Sequence, residues 1–355
     1  MIVIDMKIIV DKNISKFEEL VSLLDDLKDI DFCLLNTEEI TNSSIRDADI
    51  LFVRSTLKIT SNLLDKTNIK FVGSATSGFD HINTSYLENN SIYWCYSPGC
   101  NSSSVVHYVM SSIDYLINNN LFDKGDIVGI VGYGNIGSKL SKALNAIGIR
   151  NISYDPLLDL KSLKTFDQVK KCKLISFHIP LTVVSKFPTR NIINANLLNN
   201  FENKIIINTS RGEIADETAI LNNKNITYIS DVWCNEPLPK TEIINHSLIS
   251  TPHIAGYSYD GKINGTINLF KELFIFLGFN ENKQNKNNKF IKDFLGVKEI
   301  NDYPTNISDY SKSFNILKES MDFKVLTKGF KSKLPAEIFI KKRSKHISRR
   351  DISPN

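Results

Sequence analysis

Three glycines and a carboxylate in the middle of the chain have the spacing of a dinucleotide site. Gly132, Gly134 and Gly137 form a GxGxxG pattern after a buried apolar run and before a helical stretch. The first glycine permits a tight turn, the second lets a pyrophosphate approach the backbone, and the third lets the helix pack on the strand. The first N–H groups of that helix, which begins near Asn135 and Ile136, would face the phosphates.

Asp155 determines which dinucleotide this turn would prefer. It closes the next predicted strand, 18 residues after Gly137, and is followed by Pro156 rather than by an arginine. A carboxylate there accepts hydrogen bonds from both ribose hydroxyls and would repel the additional phosphate of NADP. The sequence therefore favours NAD as the cofactor, and the structural alternative is a glycine turn that binds no ligand.

Three polar segments follow later strands of the same predicted sheet. They are Asn208-Thr-Ser-Arg-Gly, Asp231-Val-Trp-Cys-Asn-Glu-Pro and Thr251-Pro-His-Ile-Ala-Gly-Tyr. Ligands of parallel sheets bind beyond the carboxyl ends of the strands. Arg211, in the first segment, could bind a carboxylate through two hydrogen bonds.

The elements around these segments predict an α/β fold. Strand-like apolar runs alternate with stretches of helical spacing, which is typical of a parallel sheet with helical crossovers. A long helix is predicted from the serines at 102–104, because its apolar positions 105, 109, 113 and 116 share one face. The strand-like runs are 7–10, 50–53, 69–72, 127–131, 151–154, 174–177, 204–208 and 227–231.

Composition excludes several classes of protein. The 355 residues are 42% hydrophobic, which supports folded cores, and we expect two domains from the length. No apolar run approaches the roughly 20 residues of a membrane helix, and we expect no secretory signal at the start of the chain. Five cysteines without CxxC spacing predict neither a zinc site nor a disulfide scaffold.

The net charge of +4 is unevenly distributed. Residues 331–355 carry eight Lys or Arg and two acids, so this terminal segment is +6 and the remainder is −2. Apart from Phe339 the segment has no interleaved aromatic residue, and it has no known nucleic-acid motif, so we expect no nucleic-acid partner. A solvated end, a subunit contact or capture of a phosphorylated substrate through Arg349 or Arg350 are the remaining interpretations.

The polar segments resemble those of the D-isomer-specific 2-hydroxyacid dehydrogenase family. The resemblance covers residue 6 to about 280 and is closest to a subgroup that oxidises a phosphorylated acid, 4-phospho-D-erythronate, in pyridoxal phosphate synthesis. The subgroup match depends on VRST at 53–56, KFVGSATSGFDHIN at 70–83, SPGCN at 97–101 and TPHIAGYSYDGKINGT at 251–266. The last stretch is the most specific. In this chain Ile179 stands where the family often has threonine.

The resemblance implies a catalytic group of three residues. Arg211 would bind the substrate carboxylate and polarise C2, and His253 would remove the C2 hydroxyl proton as hydride leaves. Glu236 would hydrogen-bond the imidazole and fix its tautomer. The implied cofactor contacts further include Thr209, Ser210, Asp231 and Gly256. The implied substrate contacts are Ser55, Thr76 and Tyr257, and we add Arg54 and Lys58 as candidates for the phosphate.

The expected architecture is two Rossmann-like, doubly wound parallel-sheet domains with a cleft between them, plus a small C-terminal α+β appendage. We predict a substrate domain at 1–98 and 257–280, an NAD-binding domain at 99–256, a linker at 281–289 and a dimerisation segment at 290–355 that is shorter than usual. We expect a cytoplasmic homodimer with no bound metal and no membrane partner. Residues 1–5 precede the family's usual start and are interpreted either as an extension or as the result of a misassigned start.

Three alternatives to this function remain open. One is another dehydrogenase of the same family, of the phosphoglycerate or hydroxypyruvate type. The second is a regulator that senses NAD without catalysis, and the third is an enzyme that has lost activity. Turnover on a panel of 2-hydroxy acids would separate them.

Overall fold

The computed structural model describes residues 6–297, 302–346 and 349–352. In these ranges no helix is both long enough and apolar enough to cross a membrane. The strands are β1 (Lys7–Asp11), β2 (Asp31–Leu35), β3 (Ile50–Val53), β4 (Phe71–Ser74), β5 (Tyr93–Cys95), β6 (Val128–Val131), β7 (Asn151–Tyr154), β8 (Leu174–Phe177), β9 (Lys204–Asn208), β10 (Ile226–Ser230) and β11 (Ile249–Ser250).

The α-helices range from single turns to eighteen residues. They are α1 (Phe17–Leu23), α2 (Ser61–Leu64), α3 (Thr84–Asn89), α4 (Ser102–Asn118), α5 (Asn135–Ala146), α6 (Phe166–Val169), α7 (Ala195–Leu198), α8 (Glu217–Asn222), α9 (Thr241–His246), α10 (Tyr259–Phe276), α11 (Glu281–Phe294), α12 (Ser308–Ser313), α13 (Ile316–Thr327) and α14 (Ala336–Ser344). Three 3₁₀ turns lie at Asp25–Leu27, Thr37–Glu39 and Gly212–Ile214.

The chain divides into two compact units, which are 1–101 with 259–299, and 102–258 with 300–355. The first unit contains a parallel sheet of order β2-β1-β3-β4-β5. Successive residues of each strand point to opposite faces, so Ile8 and Val10 pack in one core while Ile9 packs in the other. Helix α10 covers the first of these cores, where Phe270 stacks on Phe17.

The second unit contains a parallel sheet of order β11-β10-β9-β8-β6-β7. Its strands are almost continuously apolar because helices bury both faces, and Ile205 and Ile207 pack opposite to Ile206. The chain leaves β6 for β7 on one side and returns to β8 on the other. That change of direction opens a crevice in which ligands of doubly wound sheets bind. The GxGxxG turn follows β6 at this position.

The stretch 281–289, predicted as a linker, is instead the first part of α11. Asn280 caps this helix by accepting a hydrogen bond from the Lys283 N–H. Five of the nine residues at 281–289 are Glu, Gln or Lys, which are good helix formers, and Asn287 and Ile291 are buried within the first unit. The low hydrophobicity that suggested a linker therefore reflects a surface helix with one short buried face.

The described residues beyond 301 belong to the second unit and include α12, α13 and α14. The predicted α+β appendage is helical in this part of the chain, apart from single bridges of Lys240 with Lys333 and of Ser258 with Arg349. Tyr310 and Phe314 pack in the same core as α4. The segment therefore shares a core with the second unit. The interpretation of residues 1–5 falls outside the described residues.

Candidate active site

Three neighbouring strands bring the predicted catalytic residues to one edge of the second sheet. Arg211 follows β9, Glu236 follows β10 and His253 follows β11, and these strands lie side by side in parallel. Carboxyl ends of parallel strands meet at one edge, so residues that are far apart in the sequence share a site.

His253 and Glu236 form a close pair. The Nδ1 atom of His253 lies 2.7 Å from Oε2 of Glu236, and the Trp233 N–H donates to Oε1 at 2.8 Å. Burial opposes ionisation of Glu236, but the His253 charge and hydrogen bond, the Trp233 N–H and the charge of Arg343 hold its pKa below its usual value. An ionised Glu236 keeps a proton on Nδ1, which leaves Nε2 of the neutral imidazole as an acceptor.

Asp231 holds the loop that carries the histidine. Its Oδ1 accepts from the Thr251 hydroxyl at 2.6 Å and from the Ile254 N–H at 2.7 Å, and its Oδ2 accepts from the Ala255 N–H at 2.8 Å. The His253 N–H donates to the Asp231 carbonyl at 2.7 Å. Burial raises the pKa of Asp231, against the opposing effects of His253 and of these hydrogen bonds. The carboxylate predicted to face the nicotinamide is thus engaged with the protein's own loop.

Arg211 is partly exposed and extends from the end of β9. Its backbone carbonyl accepts from the Asn208 side chain at 3.0 Å, and its Nη1 donates to the Ser210 carbonyl at 2.8 Å. Gly212 follows because any side chain there would collide with the backbone of Trp233. This close approach places the Arg211 backbone beside the segment that leads to Glu236.

The glycine turn after β6 has the shape that a dinucleotide requires. Gly132 has a φ of 93°, and a side chain there would collide with the His178 carbonyl. Gly137 lies against the carbonyl of Gly132, whereas the space above Gly134 is open for 4 Å. Open space at the second glycine and close packing at the other two fit a pyrophosphate at the start of α5. Asn135 and Ile136 form the first turn of that helix.

Asp155 directly follows β7, as predicted, and shapes the same turn. Its Oδ2 accepts from the Tyr133 N–H at 2.9 Å, and its Oδ1 accepts from the Leu157 N–H at 3.0 Å. Carboxylate oxygens have further lone pairs, so these bonds orient the group and leave capacity for ribose hydroxyls.

Thr209 and Ser210 directly follow β9, and their hydroxyl groups contact residues at the end of β8. Both residues are less than 10% exposed. The Ser210 hydroxyl donates to the Phe177 carbonyl at 2.7 Å and accepts from the Ile179 N–H at 3.1 Å. The Thr209 hydroxyl lies 3.3 Å from Nδ1 of His178. The Ser210 side chain therefore has a structural role that the family pattern did not indicate.

Gly256 and Tyr257 form the turn after His253, where the Tyr257 N–H donates to the Ile254 carbonyl at 2.9 Å. The Arg343 guanidinium lies 6.0 Å from the centre of the Tyr257 ring. Sequence reasoning did not single out Arg343, although its charge also lowers the pKa of Glu236. Its position inside a run of basic residues gave no signal that distinguished it.

The predicted substrate residues of the first unit follow β3 and β4 at one sheet edge. Arg54 donates to the buried Asp11 at 3.2 Å, and Ser55 and Lys58 are exposed. Although burial raises it, the pKa of Asp11 is lowered overall by the Asn13 N–H, Arg54 and other hydrogen bonds. The Thr76 hydroxyl lies 2.7 Å from that of Ser74.

Lys262 is a further cation of the first unit that sequence reasoning missed. Burial and the nearby charge of Arg54 lower its pKa. It lies within the stretch TPHIAGYSYDGKINGT, which was the available signal.

Arg349 does not have the role predicted for it. Its side chain is 8% exposed and donates to backbone carbonyls of the second unit, so it is not available to a substrate phosphate. Arg350 is exposed.

Comparisons with known proteins agree with this geometry. A family model described as the NAD-binding domain of D-isomer specific 2-hydroxyacid dehydrogenases matches residues 119–255. The erythronate-4-phosphate dehydrogenase of Wigglesworthia glossinidia brevipalpis is 41% identical over 305 residues, which cover 83% of this chain and 78% of that protein. The enzyme of the same name from Hahella chejuensis is 38% identical, over 77% of this chain and 73% of that one.

A solved structure shares the fold. The NAD⁺-bound 3-phosphoglycerate dehydrogenase of Entamoeba histolytica superposes with a TM-score of 0.62 at 21% identity, covering 84% of this chain and all of that one. At this level of identity the likeness concerns the fold, and it agrees with the two parallel sheets described above.

Proposed function

Since this chain belongs to the D-isomer-specific 2-hydroxyacid dehydrogenase family, whose model describes an NAD-binding domain, we propose that it oxidises 4-phospho-D-erythronate. The product is (R)-3-hydroxy-2-oxo-4-phosphobutanoate, and the reaction serves pyridoxal 5′-phosphate synthesis. The observation that carries the proposal is the His253–Glu236 pair at 2.7 Å, at the sheet edge that also holds Arg211.

His253 acts as the general base in this reaction. Its Nε2 accepts the proton of the C2 hydroxyl while the C2–H bond breaks and the new C=O bond forms. Glu236 stabilises the imidazolium that results and keeps the proton on Nδ1. In the reverse reaction the same imidazolium returns the proton to the carbonyl oxygen.

Arg211 binds the substrate carboxylate. A guanidinium offers two parallel N–H donors to a carboxylate, which orients the acid as well as binding it. One of its nitrogens is held by the Ser210 carbonyl at 2.8 Å. The bound carboxylate then directs C2 and its hydroxyl towards His253.

The turn at Gly132, Gly134 and Gly137 and the carboxylate of Asp155 hold the cofactor. Bound NAD would supply the acceptor for the hydride that leaves C2. The first turn of α5 binds the pyrophosphate through backbone N–H groups, with Asn135 exposed at its start.

Cations of the first unit bind the substrate phosphate in this proposal. Arg54, held by Asp11, lies near enough to Lys262 for its charge to lower the pKa of that lysine. A doubly charged phosphate beside both cations would offset this repulsion. Lys58, exposed in the loop after β3, is a further candidate, and Ser55 and Thr76 follow the same strand ends.

The experiment that tests the function is NADH formation with a panel of acids. The purified protein is given NAD and either 4-phosphoerythronate, 3-phosphoglycerate, glycerate or lactate. The highest kcat/KM is expected for 4-phosphoerythronate. A higher kcat/KM for 3-phosphoglycerate would instead identify 3-phosphoglycerate as the substrate. NAD binding without turnover on any acid would favour the regulator.

His253→Gln is the matched test of the chemistry. The variant keeps a polar side chain of similar size but cannot take up the hydroxyl proton. We expect kcat to fall by about 10²–10⁴, while NADH binding, followed by its fluorescence, remains near that of the wild type. A variant that keeps its kcat would remove His253 from the mechanism.

We further propose that the protein is a homodimer through α13. Leu317, Met321 and Val325 lie on one face of this helix at a spacing of four residues and are 36%, 66% and 56% exposed. Contiguous exposed apolar side chains are a feature of subunit contacts, and this face supports the proposal. Met321→Glu should shift the mass measured by light scattering from dimer to monomer, whereas the exposed Lys328→Glu should not.

The cytoplasm is the compartment we propose for it. All five cysteines occur as thiols in the structure. Thiols of this kind are typical of a reducing compartment.

A further inference from the structure

The loop that carries His253 lies between two opposite charges of the second unit. Ile254 and Ala255 each donate their N–H to the Asp231 carboxylate. The carbonyl groups of the same two residues each accept from the Arg349 guanidinium. The N–H groups of Ile254 and Ala255 therefore face an anion, and their carbonyl groups face a cation.

Arg349 makes four hydrogen bonds to backbone carbonyls. Its Nη1 donates to Ile254 at 3.2 Å and to Tyr257 at 3.1 Å, and its Nη2 donates to Ala255 at 2.6 Å and to Ser104 at 3.0 Å. Only the rigid, planar fork of arginine supplies this many donors from one group. Buried carbonyls require such partners, and Ile254 and Ala255 are almost fully buried.

The surroundings of Arg349 keep it charged and in place. The guanidinium lies 4.1 Å from the centre of the Phe314 ring, which provides a cation–π contact. Burial lowers the pKa of Arg349 to about 10, against the charges of Asp351 and Asp231. At neutral pH the side chain is therefore a cation.

A second contact aligns the same terminal segment with the loop. Ser258 and Arg349 form a parallel bridge. The Ser104 hydroxyl donates to Asp351 at 2.8 Å and lies 2.5 Å from the Ser258 hydroxyl. Residues 349–351 thus follow the end of the catalytic loop as a short strand would.

We propose that Arg349 is a positioning residue for His253. His253 has a φ of 58°, a left-handed conformation that residues other than glycine rarely adopt, so the loop needs contacts on both sides to keep it. Asp231 provides one side and Arg349 the other. Arg349 touches neither substrate nor cofactor in this role, and the inference rests on the proposed dehydrogenase activity.

The test replaces Arg349 by Met, which keeps the length and apolar stem but removes all four donors. We expect kcat per NADH-binding site to fall by roughly 10–100-fold, because a shift of about 1 Å in a reacting group has an effect of this size. The KM for NAD should change less than kcat does, since the glycine turn that binds the pyrophosphate is separate from the loop, in which Gly256 is the one implied cofactor contact. Arg349→Lys keeps the charge but has fewer donors, so its kcat should lie between those of the wild type and of Arg349→Met.

Lys345→Met is the control, because Lys345 is an exposed basic residue of the same segment. It should keep the wild-type kcat. Equal losses in both variants, or a lower melting temperature of Arg349→Met with an unchanged kcat per site, would overturn the positioning role. Should Arg349→Met not fold, Arg349→Lys decides in its place: a reduced kcat at unchanged KM supports the role, and the wild-type kcat overturns it.

Failure of the function and failure of this inference give different results. If the wild-type protein reduces NAD with none of the acids, the proposed function fails before any variant is measured. The positioning role fails when the wild-type protein is active and Arg349→Met is equally active per site.

Discussion

Glu236→Gln tests whether the carboxylate sets the protonation of the catalytic histidine. Glu236 accepts two hydrogen bonds, from the Trp233 N–H at 2.8 Å and from Nδ1 of His253 at 2.7 Å. Glutamine has one oxygen and one NH₂ group and cannot accept both. If its oxygen faces Trp233, its NH₂ faces Nδ1, which must then lose its proton to Nε2. If the amide is reversed, two N–H donors face one another at Trp233.

The expected fall in kcat of Glu236→Gln follows from these two arrangements of the amide. In the first, Nε2 of the neutral ring carries a proton and cannot accept another from the substrate. In the second, one buried N–H is left without an acceptor, which costs about 1–3 kcal/mol. Losing the charge-assisted hydrogen bond to the imidazolium costs about 1.5–3 kcal/mol. The two costs together are about 2.5–6 kcal/mol, and at about 1.4 kcal/mol for each tenfold in rate we expect kcat to fall by about 10²–10⁴.

The assay measures NADH formation under saturating NAD and substrate, with NADH binding and melting temperature measured on the same preparations. Glu242→Gln is the matched control, because Glu242 is exposed at the start of α9, and it should leave kcat unchanged. A Glu236→Gln variant that binds NADH normally and keeps kcat within about tenfold of the wild type would refute the reasoning, since Glu236 would then not control the tautomer.

Three further predictions concern the glycine turn, the Asp155 carboxylate and the buried His107. Gly134→Ala should keep the wild-type melting temperature but weaken NAD binding at least tenfold in a fluorescence titration, whereas Gly132→Ala should lower the melting temperature as well, because its side chain meets the His178 carbonyl. Asp155→Asn should reduce the preference for NAD over NADP, measured as the ratio of kcat/KM values, because the repelling charge is gone; an unchanged ratio would exclude Asp155 from this selection. Burial, with the charge of Arg349, lowers the pKa of His107 to about 4, so the unfolded chain takes up this proton first and stability is lost as the pH falls from about 6.5 to about 4. A shift of one pKa unit corresponds to about 1.4 kcal/mol. Between pH 7 and pH 5, the free energy of unfolding measured with urea should therefore fall by about 2 kcal/mol less in His107→Gln than in the wild type. An equal fall in both proteins would contradict the lowered pKa.

Much of the second sheet could be predicted because its strands are buried on both faces and read as apolar runs. β2 and β5 could not, since these strands lie at the edges of the first sheet and are only partly buried. Helix α11 was missed because a surface helix with few apolar residues has the composition of a linker.

The active site likewise contains some residues that the sequence predicts and others that it does not. Arg211, Glu236 and His253 could be predicted because each is a reactive side chain after a strand and matches the family pattern. The loop contacts of Asp231 and Arg349 could not, because their partners are backbone N–H and carbonyl groups, which every residue has. Arg349 also follows Tyr257 by 92 positions, and nothing in the local sequence connects the two.

The contact between Arg349 and the loop after His253 sets an order of events during synthesis. The strands β6 to β11 and the loop itself leave the ribosome before Arg349 does, by 92 residues counted from Tyr257. At about 5–20 residues per second the interval is roughly 5–20 s. During that time a nascent chain contains the residues of the glycine turn but lacks one side of the support for its histidine loop, so we expect catalytic competence only after Arg349 has been added to the chain.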